Sequence, residues 1–140
     1  MADEQAQVGP AAGATSKRTI WVGWILGAVP VLMMAMSGFM KLMRNPQVLE
    51  AWGPKFGYPE GALIAIGVTE LACAVLYAIP RTAVLGAILV TGYLGGATAT
   101  HVRIGEPVFV TPVILGILAW GGLFLRDPRL RALLPLRRDG

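Results

Sequence analysis

The sequence predicts an all-α, polytopic membrane protein, an up-down bundle of four transmembrane helices. Three observations lead there. Charged residues make up 14% of the 140 residues and hydrophobic ones 55%, whereas a soluble domain carries about 25% charged residues. Four apolar runs each have a length suited to a bilayer, which needs about 17–25 residues. These runs have almost no polar face, which excludes a soluble bundle, and no strict alternation, which excludes a strand barrel. The mean hydropathy of +0.62 and the 18 glycines fit the same class, because helices in lipid associate through small residues.

Residues 1–16, rich in Ala, Gly and Gln, read as a disordered cytoplasmic tail that Lys17 and Arg18 stop at the membrane surface. A membrane domain over 17–126 follows, with spans at about 20–43, 61–79, 83–100 and 108–125. The first run is too long, and lies too far into the chain, to be a cleaved signal core. The longest connection, Arg44–Glu60, carries Trp52, Phe56 and Tyr58. Aromatics at this level are expected to anchor in the headgroup zone; the alternative is a lid over the outer mouth of the bundle. Ile79-Pro80-Arg81-Thr82 is a tight turn, which makes the second and third spans adjacent and antiparallel. Gly23/Gly27 and Gly92/Gly96 form GxxxG pairs, and Gly95, Ala97 and Ala99 smooth the third span further. That span is expected to sit tightly against its neighbours.

Residues 127–140 read as a basic cytoplasmic tail that opens with Asp127 as helix cap and Pro128 at the first helical position. The tail is either solvated, the favoured reading, or a surface helix with Leu130, Leu133 and Leu134 on lipid. Four spans put Lys17, Arg18, Arg81, Arg126, Arg129, Arg131, Arg137 and Arg138 on one side. The other side holds Lys41, Arg44, Lys55 and Arg103. The first set is twice the second, so both termini are expected in the cytoplasm of a bacterial inner-membrane, multi-pass protein. The net charge of +4 is thus a topology signal. With no soluble domain to carry a basic groove, nucleic acid is not an expected partner; the lipid bilayer is.

Glu70 is the residue that most needs an account. It sits at the centre of the run Gly61–Ile79, where a charge costs about 2.5–3.5 kcal/mol on insertion scales. Side chains lean toward the N-terminus of their own helix. Lys41 and His101 end helices that run outward and therefore lean into the membrane, while Glu70, on a helix running inward, leans toward them. The axial gap from Lys41 to Glu70 is roughly 10 Å at the helical rise, within reach of two long side chains. The candidate site is accordingly an intramembrane polar cluster of Lys41, Glu70 and His101. Ser37, Tyr77, Tyr93, Thr100 and Arg103 are its neighbours by helix face or helix end. Against this stands a plainer arrangement. Lys41 and His101 face outer water, and a protonated Glu70 bonds to helix backbone.

Metal binding is a poor reading, because one His and one Glu fall short of the three protein ligands of a catalytic zinc site. The single Cys73 excludes an intramolecular disulfide and any CxxC motif. No serine–histidine arrangement or Gly-rich phosphate loop is evident, and a bis-histidine haem needs a second histidine beside His101.

Several segments are similar to the DoxX-like family of small bacterial membrane proteins. They are SGFMKL at Ser37–Leu42, GVTELACAVLY at Gly67–Tyr77, IPRTAVLGAILVTGYLGGATATHVR at Ile79–Arg103 and LRDPRLRALLP at Leu125–Pro135. The resemblance spans roughly residues 25–135 and is most specific from Pro80 to Arg103. It implies a four-helix membrane bundle, with Lys41, Glu70, Thr100, His101 and Arg103 at positions of the family pattern. The family takes its name from a subunit associated with a terminal quinol oxidase, and other relatives are linked to membrane oxidoreductase or thiol-stress systems. The lone cysteine argues against direct thiol chemistry here. Three functions are carried forward. The favoured one is an accessory or assembly subunit of a membrane redox system, associating with its other subunits and having no enzymatic activity of its own. The second is a proton- or quinone-handling protein using Glu70 and His101, the one reading that brings a cofactor, quinone. The third is a small-solute permeation protein, formed as a homo-oligomer.

Overall fold

The structure, a computed structural model, describes residues 15–134. Every regular element among these residues is helical, with no strand. Helix α1 covers Lys17–Leu42, α2 Pro46–Trp52, α3 Ala62–Ala78, α4 Ala83–Arg103, α5 Val110–Arg126 and α6 Pro128–Leu133, and a 3₁₀ turn at Pro107–Phe109 leads into α5. Three helical stretches are long and apolar enough to cross a membrane: Lys17–Leu42, Ala83–Arg103 and Pro107–Arg126. The apolar α3 is shorter, at 17 residues, because Gly61 and Pro80 bound it. The readings for residues 1–14 and 135–140 lie outside the described residues.

Local chemistry sets the ends of these elements. Ser16 opens α1, its hydroxyl accepting from the Arg18 N–H at 3.3 Å, so the helix begins before the apolar run does. Asn45 caps α2, accepting from the Gln47 N–H at 3.0 Å, with Pro46 at the first helical position. Helix α4 runs on to Arg103, which makes His101 and Arg103 helical residues. Asp127 caps α6 by accepting from the Arg129 N–H at 3.0 Å.

The four long helices pack as a ring. α1 lies against α3 and α5, and α4 lies against the same two. Small residues set the closest approaches. A Cβ on Gly122 of α5 would stand 2.6 Å from the backbone nitrogen of Gly27, and one on Gly86 of α4 only 2.2 Å from that of Tyr77. Gly38 of α1 meets Gly67 of α3 in the same way. The core comprises Met34, Ala74, Tyr77, Ala87, Val90, Leu94, Ala119 and Leu123 among others. The outside is as apolar as the inside: Trp21, Ile25, Leu32, Met36, Phe39, Ile88 and Ile117 are all exposed. An apolar exterior of this extent is what lipid solvates.

Two expectations change here. Gly92, Gly95 and Gly96 do not pack tightly; a Cβ on any of them would meet nothing within 4 Å. The small face of α4 borders open space, and the close crossing uses Gly86 instead. Leu130 is neither solvated, as the favoured reading of the tail has it, nor resting on lipid. It is buried in the core, because Arg131 donates to the carbonyls of Phe124 and Leu125 at the end of α5 and folds α6 back.

Candidate functional site

The ends of α1 and α4 and the starts of α3 and α5 surround a cavity of about 430 Å³. Its wall is mainly apolar, with Met33, Met34, Ile66, Leu94 and Leu115, and a few polar groups converge on it: Ser37, Lys41, Glu70, Tyr93, Thr100 and His101. Size and composition fall in the usual range for small-molecule sites, about 300–1,000 Å³.

Glu70 faces this cavity and is 3% exposed. Lys41 reaches across from the last turn of α1 and donates from Nζ to Glu70 Oε2 at 2.7 Å and to Ser37 Oγ at 2.6 Å. The Ser37 hydroxyl donates in turn to the same Oε2 at 3.3 Å. Spacing makes this local triad. Ser37 and Lys41 are one helical turn apart on the same face, and the Gly38–Gly67 crossing brings that face against α3. A cation at the C-terminal end of α1 is favoured further by the helix dipole. The Lys41 and Ser37 bonds to Glu70 both fall on Oε2, and the Tyr93 hydroxyl of α4 stands at the same carboxylate. The carboxylate bonds to side chains, not to helix backbone.

His101 is not part of this triad. It lines the same cavity, but its Nδ1 lies 3.0 Å from Oε2 of Glu106, just beyond the end of α4. Gly105, at φ 72°, turns the chain back and brings Glu106 under the ring. Glu106 also pairs with Lys55. The Lys55 ammonium, and after it the His101 ring, hold the Glu106 carboxyl below its ordinary range. Thr100 accepts or donates at 2.6 Å with the Tyr58 hydroxyl, and Arg103 bonds to the Phe56 carbonyl. Tyr93 lines the cavity. Tyr77 does not; it is buried further along α3, donating to the Ala119 carbonyl at 2.6 Å.

The connection 44–60 is where the sequence was least informative. Its aromatics do not project as headgroup anchors. Trp52 is 5% exposed, and Trp52, Phe56 and Tyr58 all line the cavity. Phe56 stands edge-on to His101, centroids 5.5 Å apart. Met33, Met34 and Glu106 also escaped sequence reasoning. The first two look like any apolar helix residue; Glu106 had one signal, an acidic side chain directly after a glycine at a helix end. A larger and more open groove of about 680 Å³ runs between α4 and α5, but no ionisable side chain lines it. Among the described residues, no three His, Cys, Asp or Glu side chains converge as a metal site requires.

The sequence profile of the DoxX-like family matches residues 25–122, a stretch that holds every cavity-lining residue named above. No curated protein and no solved structure matches the chain.

Proposed function

The chain belongs to the DoxX-like family, and from that premise we propose that it is a multi-pass membrane protein that holds a small quinone at bilayer depth, beside the Lys41–Glu70 pair. In this reading α3 is the fourth span, and the termini share the cytoplasmic side of a bacterial inner membrane. The observation that carries it is a hydrogen-bonded ion pair in the wall of an otherwise apolar cavity. A charged pair at this depth is expensive and generally marks a pathway or a binding site.

The chemistry suits a quinone in both its forms. Carbonyl oxygens of the oxidised form accept from Lys41 Nζ. Hydroxyls of the reduced form donate to the Glu70 carboxylate. The ring rests among Met33, Met34, Leu94 and Leu115. His101, in the cavity wall, and Glu106 behind it are the groups through which protons exchange with outer water. An accessory role in a membrane redox system follows naturally: this chain holds the quinone, and a partner supplies the electrons.

The test uses a chain that keeps Trp52 alone, with Trp21, Trp24 and Trp120 changed to Phe. Ubiquinone-1 added in mild detergent is expected to quench Trp52 saturably. Glu70→Gln and Lys41→Met each remove a hydrogen bond to a charged group and are expected to weaken that binding about tenfold or more. Absence of saturable quenching in the parent chain would end the proposal.

A further inference from the structure

We propose that residues 44–60 form a lid that swings as one piece over the aqueous mouth of the cavity, fastened by side-chain latches. Its purpose, admitting protons and ligand, rests on the binding reading above; its existence rests on separate observations. The backbone of α2 has no extensive contact with any of the long helices, yet Trp52, Phe56 and Tyr58 close one side of the cavity. The segment is therefore held down by side chains and not by helix packing.

Its two ends are joined to each other. Arg44, at the unusual φ of 51°, pairs with Glu60, which brings both hinges to one place. Inside the segment, Trp52 Nε1 donates to the Pro59 carbonyl at 3.0 Å, and the Trp52 and Tyr58 rings lie 5.2 Å apart. These contacts make it a unit. Three further contacts fasten that unit to α4 and the loop after it. They are Tyr58 to Thr100 at 2.6 Å, Arg103 to the Phe56 carbonyl, and Lys55 to Glu106, which His101 also supports. Latches of these kinds, a neutral hydrogen bond and exposed or half-exposed ion pairs, are individually weak. The buried Trp52 ring adds apolar contact at one point of α2, and the weak polar latches hold the rest of the segment over the mouth.

Gly96 supplies a reporter. It lines the cavity, and a Cβ there meets nothing within 4 Å. Gly96→Cys in a Cys73→Ala background, reconstituted in liposomes, is treated with a charged, membrane-impermeant methanethiosulfonate. Tyr58→Phe and Lys55→Met each remove one latch without disturbing the core. Each is expected to raise the labelling rate about fivefold, the effect of one ordinary hydrogen bond, and the double variant by roughly the product. Rates that stay within a factor of two of the parent in all three variants would overturn the lid. Equilibrium dialysis of ubiquinone-1 reads cavity binding independently of Trp52, which moves with the lid. Unchanged labelling with ubiquinone-1 still bound removes the lid and leaves the binding site. Faster labelling with no ubiquinone-1 bound in dialysis does the reverse.

Discussion

The two ends of the helical ring are built on opposite principles from the same residue types. At one end, Gly23 and Gly27 of α1 meet Gly122 of α5 backbone to backbone, and Gly86 admits α4 against Tyr77. Tyr77 fills the centre and bonds to Ala119. Arg126 stacks on Trp24 and Tyr77, 4.2 Å and 4.8 Å from their centroids, and donates to the Tyr77 carbonyl. At the other end, Gly92 and Gly96 face open space, and the centre is a cavity walled by Lys41 and Glu70. Glycine removes a side chain in both cases. In the first it lets two backbones close; in the second it keeps a volume clear. A glycine motif therefore identifies a smooth helix face without saying whether that face is filled.

The contrast can be broken or sharpened by substitution. The largest effect is expected at the hollow end, from Lys41→Met. It leaves Glu70 as an uncompensated buried charge, and breaking a buried pair on one side costs about 3–5 kcal/mol. Thermal unfolding in detergent measures it, and the double variant Lys41→Met/Glu70→Met is expected to recover most of the loss; strict additivity would show the two residues to be uncoupled. Next comes Gly86→Ala at the closed end. With a Cβ only 2.2 Å from the Tyr77 nitrogen, α3 and α4 must move apart, at the upper end of the roughly 1–3 kcal/mol of overpacking. Tyr77→Phe removes one buried hydrogen bond and is expected to cost about 1 kcal/mol.

The same Gly→Ala change at Gly96 is expected to have the opposite sign. It has room, and it removes a helix-interior glycine, a gain of about 0.5–1 kcal/mol. A Gly96→Ala chain that unfolds as early as Gly86→Ala would erase the distinction between the two ends. The smallest effect concerns pH. The folded-state pKa of Glu106 is lowered, chiefly by Lys55, so its contribution is present above the unfolded carboxylate value. It is lost as pH falls through the lowered folded value. Melting temperature should therefore decline slightly more in acid for the parent than for Glu106→Gln.

Much of this was legible in the sequence, for reasons that are physical. Apolar runs without strand alternation report helices directly, because only helices and closed barrels satisfy the backbone in lipid. Glu70 stands out because charge is rare where it sits, and the lean of side chains along a helix pointed it toward Lys41. His101 pointed the same way, yet its ring goes to Glu106. That acid follows Gly105, whose positive φ redirects the chain in a way no helix periodicity encodes. The segment 44–60 was harder still. Asn45 and Pro46 announce a helix start, but where α2 lies depends on side-chain contacts with residues such as Thr100 and Arg103, far along the chain. Gly92/Gly96 and Gly23/Gly27 are indistinguishable as motifs and differ only in what the fold sets opposite them.

The 2.7 Å contact between Lys41 and Glu70 has an electrical consequence. A membrane potential acts on net charge, at about 2.3 kcal/mol per elementary charge for 100 mV across the full bilayer. A closed pair is neutral as a unit, and it stays neutral if the proton shifts from the ammonium to the carboxylate, so voltage gives it almost no energy. A bound molecule that draws Lys41 away from Glu70 pulls the two charges apart within the field, and only then does their position carry a voltage-dependent energy. In the closed arrangement the pair itself is close to blind to a membrane potential.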